Sequence, residues 1–308
     1  MPVIEAPIDI LADRSYSVPV RELWSSFGHR TFDRNLFMVL TGYIDEGFND
    51  EWFTLSCLVG WGSQWTWIEL AFQNLLDKTN AALQAQGRAT ISRYHATDCS
   101  NKKREFRGWS DAEQIEFTKK IVEIFRKHPL AIVAFSLNLK ELVEEIPETK
   151  PNPQGFAYVL LLYHLMFEIG TLILSRPEYV KDKIALIHER SDHDSALLEA
   201  FNQMKDDDTF QYRDRFTTIA SMGWEDCIPL QLADFLAYEN FKEAQGKAAN
   251  RSRRKSLQAL LDLTSFAGRA KQLGRDWMQQ YKKVFDEMDE SAKQLLLTTA
   301  RIRSKNNA

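Results

Sequence analysis

Three acidic residues stand in segments that are otherwise apolar. Asp45 closes the apolar run of residues 37–44, and Glu189 closes the shorter run of residues 184–188. Asp234 lies inside a helical pattern, with leucine, alanine and tyrosine on the neighbouring turns. Burial of an unpaired carboxylate is costly or forces the group to protonate. Each of these acids therefore needs a cation, a hydrogen-bond donor or a metal ion.

A pair of Mg²⁺ or Mn²⁺ ions would satisfy all three carboxylates at once. Hard divalent cations prefer oxygen ligands, and two ions about 4 Å apart stabilise both the attacking and the leaving oxygen of a phosphoryl displacement. The residues alone leave a simpler alternative open. Asp45 would then be a turn residue, Glu189 the partner of a nearby arginine, and Asp234 a helix residue whose carboxylate reaches solvent.

Alternating strand and helix patterns predict the elements that must bring these acids together. Apolar or β-branched runs predict strands, and apolar residues at steps of three or four predict helices. The expected strands are 35–45, 52–61, 90–96, 130–139, 183–189 and 215–222, the first two as an antiparallel hairpin. The expected helices are 64–86, 110–127, 155–176, 194–204, 228–245, 257–263, 267–285 and 291–303. This order predicts an α/β sheet with helices on both faces.

Four sequence blocks resemble the signature blocks of a known family. They read Tyr-Ile-Asp-Glu-Gly-Phe-Asn-Asp at 43–50, Arg-Tyr-His-Ala-Thr-Asp-Cys at 93–99, Ile-Ala-Leu-Ile-His-Glu-Arg-Ser-Asp at 184–192, and Pro-Leu-Gln-Leu-Ala-Asp-Phe-Leu-Ala-Tyr at 229–238. They are similar to the blocks of domain of unknown function 3800 (DUF3800), a family of the RNase H-like superfamily. The resemblance spans residues 37–245. It departs from the family in the first block, where glycine and phenylalanine replace the usual serine and glycine after the Asp-Glu pair.

This resemblance implies an RNase H-like mixed sheet with helices on both faces, plus a helical C-terminal extension. In that fold one acid on the first strand, one at a later strand end and one on a late helix form a two-metal nuclease site. Asp45, Glu189 and Asp234 occupy these places, so the resemblance implies a metal-dependent nuclease acting on DNA or RNA. Asp45 would bridge two ions, with Glu189 and Asp234 each completing one site. The opposing hypothesis is an inactive RNase H-like binding or scaffold module within a larger assembly.

Other polar residues near these blocks are further candidates. Glu46 would join the carboxylates if the chain turned back after the strand, and His95 with Asp98 would transfer a proton or act as an outer ligand. The alternative for His95 is a structural histidine at a strand end whose ring is satisfied by its neighbours. Gln231 would hold Asp234 or contact substrate. Basic residues that would contact phosphates, or simply be solvated, are Lys102, Lys103, Arg104 and Arg107, and in the tail Arg251, Arg253, Arg254 and Lys255. Asp192, His193 and Asp194 follow Glu189, and helix capping accounts for at least one of them.

Charge is divided unevenly along the 308 residues. The net charge is −4, but residues 241–308 hold 15 Lys and Arg against 7 Asp and Glu, whereas residues 1–240 hold 24 against 36. The expected organisation is an N-terminal arm at 1–36, an RNase H-like domain at 37–245 and a basic helical extension at 246–308. A nucleic-acid partner is compatible with the basic extension, whose helices also offer a route to oligomers.

The remaining composition predicts a cytoplasmic protein that does not span a membrane. Three widely spaced cysteines without a Cys-x-x-Cys pattern disfavour a disulfide framework and a thiolate zinc site. The apolar helix at 155–176 approaches the length of a membrane span. Its Tyr163, His164 and Glu168 and the flanking prolines favour a core helix instead.

Overall fold

A computed structural model of the chain describes residues 39–128, 130–174, 182–191, 193–224, 227–261 and 268–301. The predicted N-terminal arm at 1–36 and the candidate Asp192 lie outside the described residues. The strands are β1 (Val39–Phe48), β2 (Trp52–Trp61), β3 (Ala131–Asn138), β4 (Lys183–Glu189), β5 (Phe216–Met222) and β6 (Gly268–Leu273). The α-helices are α1 (Gly62–Ala85), α2 (Ala96–Asn101), α3 (Asp111–Lys127), α4 (Leu139–Glu145), α5 (Pro153–Leu174), α6 (Asp194–Asp206), α7 (Ile228–Ala248), α8 (Lys255–Leu261), α9 (Arg275–Glu287) and α10 (Glu290–Arg301).

The described strands form one mixed sheet in the order β5-β4-β1-β2-β3-β6. Antiparallel pairs join β1 to β2 and β2 to β3, whereas β4 pairs with β1, β5 with β4 and β6 with β3 in parallel. The β1–β2 hairpin is closed by Asn49, whose Oδ1 accepts hydrogen bonds from the backbone N–H of Glu51 and Trp52 at 3.0 and 2.7 Å. The hairpin predicted from the sequence is therefore confirmed.

Two apolar layers cover the sheet, one on each face. Side chains alternate along β1, so Ile44 enters one core and its neighbour Tyr43 the other. The first face carries α4, α5, α6, α9 and α10, and the second carries α1, α2, α3, α7 and α8. This is the α/β architecture with helices on both faces that was expected for an RNase H-like protein.

The segment predicted as a third strand, residues 90–96, is not a strand. Side chains accept the hydrogen bonds that its backbone N–H groups would give to a neighbouring strand. Ile91 donates to Asn80 Oδ1 at 2.7 Å, Tyr94 to Gln231 Oε1 at 2.8 Å, and Ala96 to Asp234 Oδ2 at 2.7 Å. The β-rich composition of the segment serves to pack it on α7 rather than to extend the sheet.

The sequence also missed or misplaced three other elements, which are α2, α4 and β6. Helix α4 follows β3 directly, started by Asn138, whose side chain accepts from the N–H groups of the first helical turn. It was not predicted. The helix expected at 267–285 is wrong for its first part, because Gly268–Leu273 forms the edge strand β6 and only α9 is helical. The C-terminal extension therefore contributes a strand to the sheet besides its helices.

Strand β6 is held to the sheet by a largely buried glutamate on α5. Arg269 Nη1 ion-pairs with Glu168 Oε2, and Lys271 Nζ donates to Glu168 Oε1 at 2.8 Å. Arg269 and Lys271 are two residues apart in the strand, so their side chains point to the same face of the sheet. Burial raises the pKa of Glu168, but the hydrogen bonds from Lys271 and Arg269 outweigh it and lower the pKa overall.

Replacing this glutamate is expected to loosen the edge strand. Glu168→Gln removes the charge that both basic residues contact. The free energy of opening β6 should fall by about 1 kcal/mol, so the backbone amides of β6 should exchange hydrogen faster. Hydrogen exchange with mass spectrometry checks this. Glu290→Gln, at an exposed ion pair with Lys293, is the control and should leave β6 unchanged. Equal exchange rates in Glu168→Gln and the unmodified chain would contradict the role given to Glu168.

Helix α5 lies against the sheet as the sequence predicted. Within the described part of the chain it is the one helix whose length and hydropathy would allow it to cross a membrane, over Pro153–Leu172. In this fold 72% of that window is buried inside the protein. The core helix of a globular protein also meets these criteria of length and hydropathy. All three cysteines are free and buried.

A histidine on α5 lies where the fold disfavours its protonated form. His164 lies in a partly buried aromatic setting, with its ring centroid 4.7 Å from that of Trp277 and 5.8 Å from that of Phe135. Burial lowers its pKa from 6.5 to about 4; nearby Glu168 opposes this effect and Lys271 adds to it. The folded chain therefore holds His164 neutral where the unfolded chain would protonate it.

We expect this histidine to destabilise the fold progressively as the pH falls from about 6.5 to about 4, since the unfolded state binds the extra proton. The loss reaches at most about 3 kcal/mol. His164→Phe keeps an aromatic ring and removes the titration, so its stability should depend less on pH. Urea denaturation of both chains across this pH range measures the difference. Parallel pH profiles would contradict the expectation.

Candidate active site

The first candidate acid lies near the end of β1 and faces helix α7. Asp45 follows Tyr43 and Ile44, and on strand alternation it shares the face of Tyr43. In the hairpin register it stands opposite Ser56, and it is only 6% exposed. Gly47, further along the same face, lies so close to α7 that a Cβ there would come within 2.9 Å of Phe241 Cβ. The helix therefore covers the strand end that carries Asp45.

The second acid is placed beside the first by the parallel pairing of β4 with β1. Ile44 stands opposite His188 in this register, so Glu189, the next residue, reaches the level of Asp45. Glu189 is the last residue of β4 and shares the face of Ile187, which belongs to the core under α7. It is partly buried. The expected strand-end position of Glu189 is what the structure shows.

The third acid comes from helix α7, which crosses this face of the sheet. Asp234 is partly buried, and its Oδ2 accepts a hydrogen bond from the backbone N–H of Ala96 at 2.7 Å. Gln231, about one helical turn earlier, accepts from the backbone N–H of Tyr94 at 2.8 Å. Gln231 thus positions the segment that binds Asp234, rather than holding the carboxylate itself.

The three carboxylates influence one another electrostatically. The pKa of Asp45 lies well above its ordinary value, first because the group is buried and then because Asp234, Glu46 and Glu189 carry like charges. The pKa of Asp234 is raised to about 6, mainly by burial and in part by Glu189. The charge of His95, the hydrogen bond from Ala96 and the charge of Arg93 act in the opposite direction. Burial and the charge of another carboxylate therefore both disfavour the ionised forms of Asp45 and Asp234.

Glu46 lies on the other face of the sheet. Strand β1 continues to Phe48, so Glu46 alternates away from Asp45 and accepts a hydrogen bond from the hydroxyl of Tyr158 on α5 at 3.0 Å. The predicted turn of Glu46 back toward the other acids does not occur, because the strand does not end at Asp45. Its charge still reaches Asp45 through the strand and raises the pKa of that group.

His95 lies beside Asp234 and is oriented by a second acid. Its Nδ1 is 2.9 Å from Asp98 Oδ2, and its side chain is 37% exposed. Asp98 is also 3.5 Å from Arg104 Nε. Of the predicted group, the structure thus brings His95 and Asp98 to the carboxylates, and Arg104 to their edge.

The other predicted basic residues are divided between ion pairs and solvent. Lys102 pairs with Asp111, whereas Lys103 is exposed. In the tail, Arg254 makes two hydrogen bonds to the buried Glu239 of α7, at 2.9 and 3.0 Å. Arg107, Arg251 and Lys255 are exposed, and Arg253 pairs with Glu243. Arg253 and Arg254 therefore fasten the segment between α7 and α8 to α7.

The residues after Glu189 begin the next helix. The backbone N–H of Ser191 donates to Asp194 Oδ1 at 2.8 Å, and the N–H of His193 donates to Ser191 Oγ at 3.2 Å. The N-cap residue of α6 is His193, which makes no side-chain cap hydrogen bond, so the contact of Asp194 with Ser191 closes the turn before the helix. Asp194 also lies 3.8 Å from His188 Nδ1.

The sequence did not single out an arginine–tryptophan pair at this site. The guanidinium carbon of Arg93 lies 4.0 Å from the ring centroid of Trp224. Arg93 directly precedes the segment that binds α7, and Trp224 follows β5. The sequence pointed to Arg93 as a site residue only through its place in the 93–99 block. Nothing in the sequence pointed to Trp224.

The donor chemistry of the site fits a hard divalent cation, whereas the described positions do not yet form a complete metal site. Asp45, Glu189 and Asp234 supply carboxylate oxygens, the ligands that Mg²⁺ and Mn²⁺ prefer. A cation among them would also remove the like-charge interactions that raise the pKa of Asp45. Among the described residues, however, no group of three or more His, Cys, Asp or Glu side chains is spaced to hold a metal ion as it stands. Ion binding would have to draw the carboxylates together.

Comparison with known proteins adds little beyond this geometry. No family model matches the chain, and no curated protein sequence matches it. A solved structure that it resembles is the crystal structure of Bst-RNase HIII in complex with Mn²⁺, at 13% sequence identity and a TM-score of 0.36. The match covers 82% of this chain and 72% of that one.

Proposed function

We propose that the chain is a divalent-metal-dependent phosphodiesterase of the DUF3800 type, acting on DNA or RNA. The observation that supports this most is the convergence of Asp45, Glu189 and Asp234, from two strands and a helix, on one face of the sheet. The pKa of Asp45 and the pKa of Asp234 are each raised in part by the charge of another carboxylate. A fold that gathers like charges in this way gains from a cation between them.

Asp45 is the residue best placed to bridge two Mg²⁺ or Mn²⁺ ions, since it is the most buried and the other two acids both act on it. Glu189 and Asp234 would each complete one site. When bound, the ions lower the pKa of an attacking water and stabilise the departing oxyanion. The Ala96 N–H fixes one oxygen of Asp234 and leaves the other for a cation. His95, held by Asp98, is the nearby group able to give or accept a proton.

A second candidate function is an inactive binding or scaffold module. The observation in its favour is that, in the described part of the chain, no three potential ligands are spaced for a metal ion. Divalent-cation dependence of thermal stability separates the two. A site built for metals is stabilised by Mg²⁺ or Mn²⁺, because a ligand that binds the native state raises its melting temperature. A scaffold with permanently repelling or protonated acids would not respond.

The proposed activity is tested by incubating the purified chain with labelled single- and double-stranded DNA and RNA in Mg²⁺, Mn²⁺ or EDTA. Cleavage should require the metal and should fall at least about a hundredfold in Asp45→Asn and in Asp234→Asn. Asp50→Asn, in the exposed turn next to β1, is the matched control and should cleave normally. Cleavage that survives in both site variants would assign the activity to a contaminant and overturn the proposal.

The same proposal gives the protein a nucleic-acid partner, whereas its cytoplasmic location stays a prediction. Two further expectations stay predictions. One is the formation of oligomers through the C-terminal helices, and the other is the division into a domain at 37–245 and an extension at 246–308. The pairing of β6 with β3 shows that this extension is in contact with the sheet.

A further inference from the structure

The Arg93–Trp224 pair lies where three elements of the candidate site meet. Met222, the last residue of β5, pairs with Glu189, and its carbonyl accepts a hydrogen bond from the N–H of Arg190 at 2.8 Å. Trp224 follows Met222 closely, and its carbonyl accepts from the N–H of Cys227 at the start of α7. Trp224 therefore stands on the connection between the strand beside Glu189 and the helix that carries Asp234.

Arg93 reaches the same place from the opposite direction. Its neighbour Tyr94 is hydrogen-bonded to Gln231, and Ala96 to Asp234, so the segment lies along the first turns of α7. The positive charge of Arg93 acts on Asp234, where it opposes the rise in pKa. The guanidinium is thus within electrostatic reach of the carboxylates while it lies over the Trp224 ring.

Both side chains are partly exposed, which distinguishes them from the aromatic core beneath. A guanidinium that covers an indole face keeps its N–H donors in its own plane, where they remain available to a phosphate oxygen. Bases in a duplex have their faces covered by neighbouring bases, whereas an unpaired base stacks on an aromatic ring or on an arginine plane. The pair thus combines a stacking surface with a phosphate donor beside acids that would otherwise repel a phosphate.

We propose that Arg93 and Trp224 form a nucleotide subsite at the edge of the carboxylate cluster. It binds one unpaired nucleotide, with the base stacked on the pair and a flanking phosphate bound by the Arg93 guanidinium. This inference rests on the proposed function for the class of ligand, and it adds a preference for single-stranded over double-stranded nucleic acid. Arg93 and Trp224 are substrate-binding residues in this account and take no part in proton transfer.

The test compares a labelled oligothymidylate of about 12 nucleotides with an abasic oligomer of the same length, which keeps the phosphates and lacks the bases. Affinities are measured by fluorescence anisotropy on the full-length chain in EDTA, where the proposed cleavage does not occur. The unmodified chain should bind the oligothymidylate about tenfold more tightly than the abasic oligomer. Oligouridylate serves as the RNA arm and should show the same base dependence.

Substitutions then assign that preference to the pair. Trp224→Leu should remove the preference and leave the affinity for the abasic oligomer unchanged, whereas Trp224→Phe, which keeps a stacking ring, should retain most of it. Arg93→Gln should weaken binding of both oligomers and reduce the salt dependence by about one phosphate contact. Trp67→Leu, at a tryptophan 61% exposed on α1, is the control and should change nothing.

If Arg93 and Trp224 only held the segment 90–96 against α7, their substitution would change the affinities for the oligothymidylate and the abasic oligomer by the same factor. The unmodified chain would then show no base preference. Equal binding of the two oligomers by the unmodified chain, or a preference that survives Trp224→Leu, would overturn the subsite. Because binding is measured without metal, its outcome is independent of the cleavage assay. Cleavage without a base preference removes only the subsite, and a base preference without cleavage removes only the nuclease proposal.

Discussion

Asp45→Asn is expected to raise the melting temperature of the chain in EDTA and to abolish its stabilisation by Mg²⁺ or Mn²⁺. Burial and three neighbouring carboxylates raise the pKa of Asp45, so its ionised form is unfavourable in the folded state. Replacing the carboxylate by the uncharged amide removes these repulsions at neutral pH, which we expect to add about 1–2 kcal/mol. The unmodified chain should instead gain about 2.7 kcal/mol from a cation at a hundred times its dissociation constant.

Asp45→Asn should therefore have the higher melting temperature in EDTA, and the unmodified chain should have the higher one when metal is added. Thermal unfolding in EDTA and in Mn²⁺ measures this, and Asp50→Asn should follow the unmodified chain in both buffers. A lower melting temperature of Asp45→Asn in EDTA would show that Asp45 has a stabilising partner rather than three repelling neighbours. A Mn²⁺ response that persists in Asp45→Asn would place the cation elsewhere.

Gly170→Ala is expected to destabilise the fold strongly, although alanine is the better helix former. A Cβ at position 170 of α5 would lie 2.4 Å from Cγ of Tyr212 and 2.8 Å from its Cβ. These atoms are close to the Tyr212 backbone, and the ring is held by a 3.1 Å contact between its hydroxyl and Thr171 Oγ1. Helix propensity favours alanine by about 1 kcal/mol, whereas overpacking of this kind costs about 1–3 kcal/mol or more.

The net loss should be about 2 kcal/mol, because the methyl group meets the attached end of a ring and not the free end of a flexible chain. Urea denaturation measures it. Gly62→Ala, at the start of α1, is the matched control, since nothing lies within 4 Å of a Cβ at that position. Equal stability of Gly170→Ala and Gly62→Ala would show that Tyr212 moves aside without cost.

Local pattern was enough to predict the elements that carry the candidate site. Alternation along β4 placed Glu189 on the face of Ile187, and the helical pattern placed Asp234 near the buried side of α7. The capping box of α3, with Ser110 Oγ accepting from Glu113 N–H at 3.2 Å, was also readable from residue types. These features depend on neighbours in the sequence, so the sequence contains the information.

The features that sequence reasoning missed depend on distant partners. Residues 90–96 have the composition of a strand, but their backbone donors meet acceptors on α1 and α7, which composition does not reveal. The first residues of the helix expected at 267–285 form β6 instead, which pairs with β3 and contacts Glu168 on α5. Glu46 was misjudged because the end of β1 is set by its pairing with β2, which continues to Phe48 opposite Phe53.

In the proposed function, Asp45, Glu189 and Asp234 together bind divalent cations. Anomalous diffraction at the manganese edge, from crystals of the full chain grown with Mn²⁺, tests it most directly. We expect one or two manganese peaks in contact with carboxylate oxygens of all three residues, at about 2.0–2.3 Å, with the carboxylates drawn together around them. Manganese bound elsewhere, or the three carboxylates left more than about 10 Å apart in saturating Mn²⁺, would contradict it.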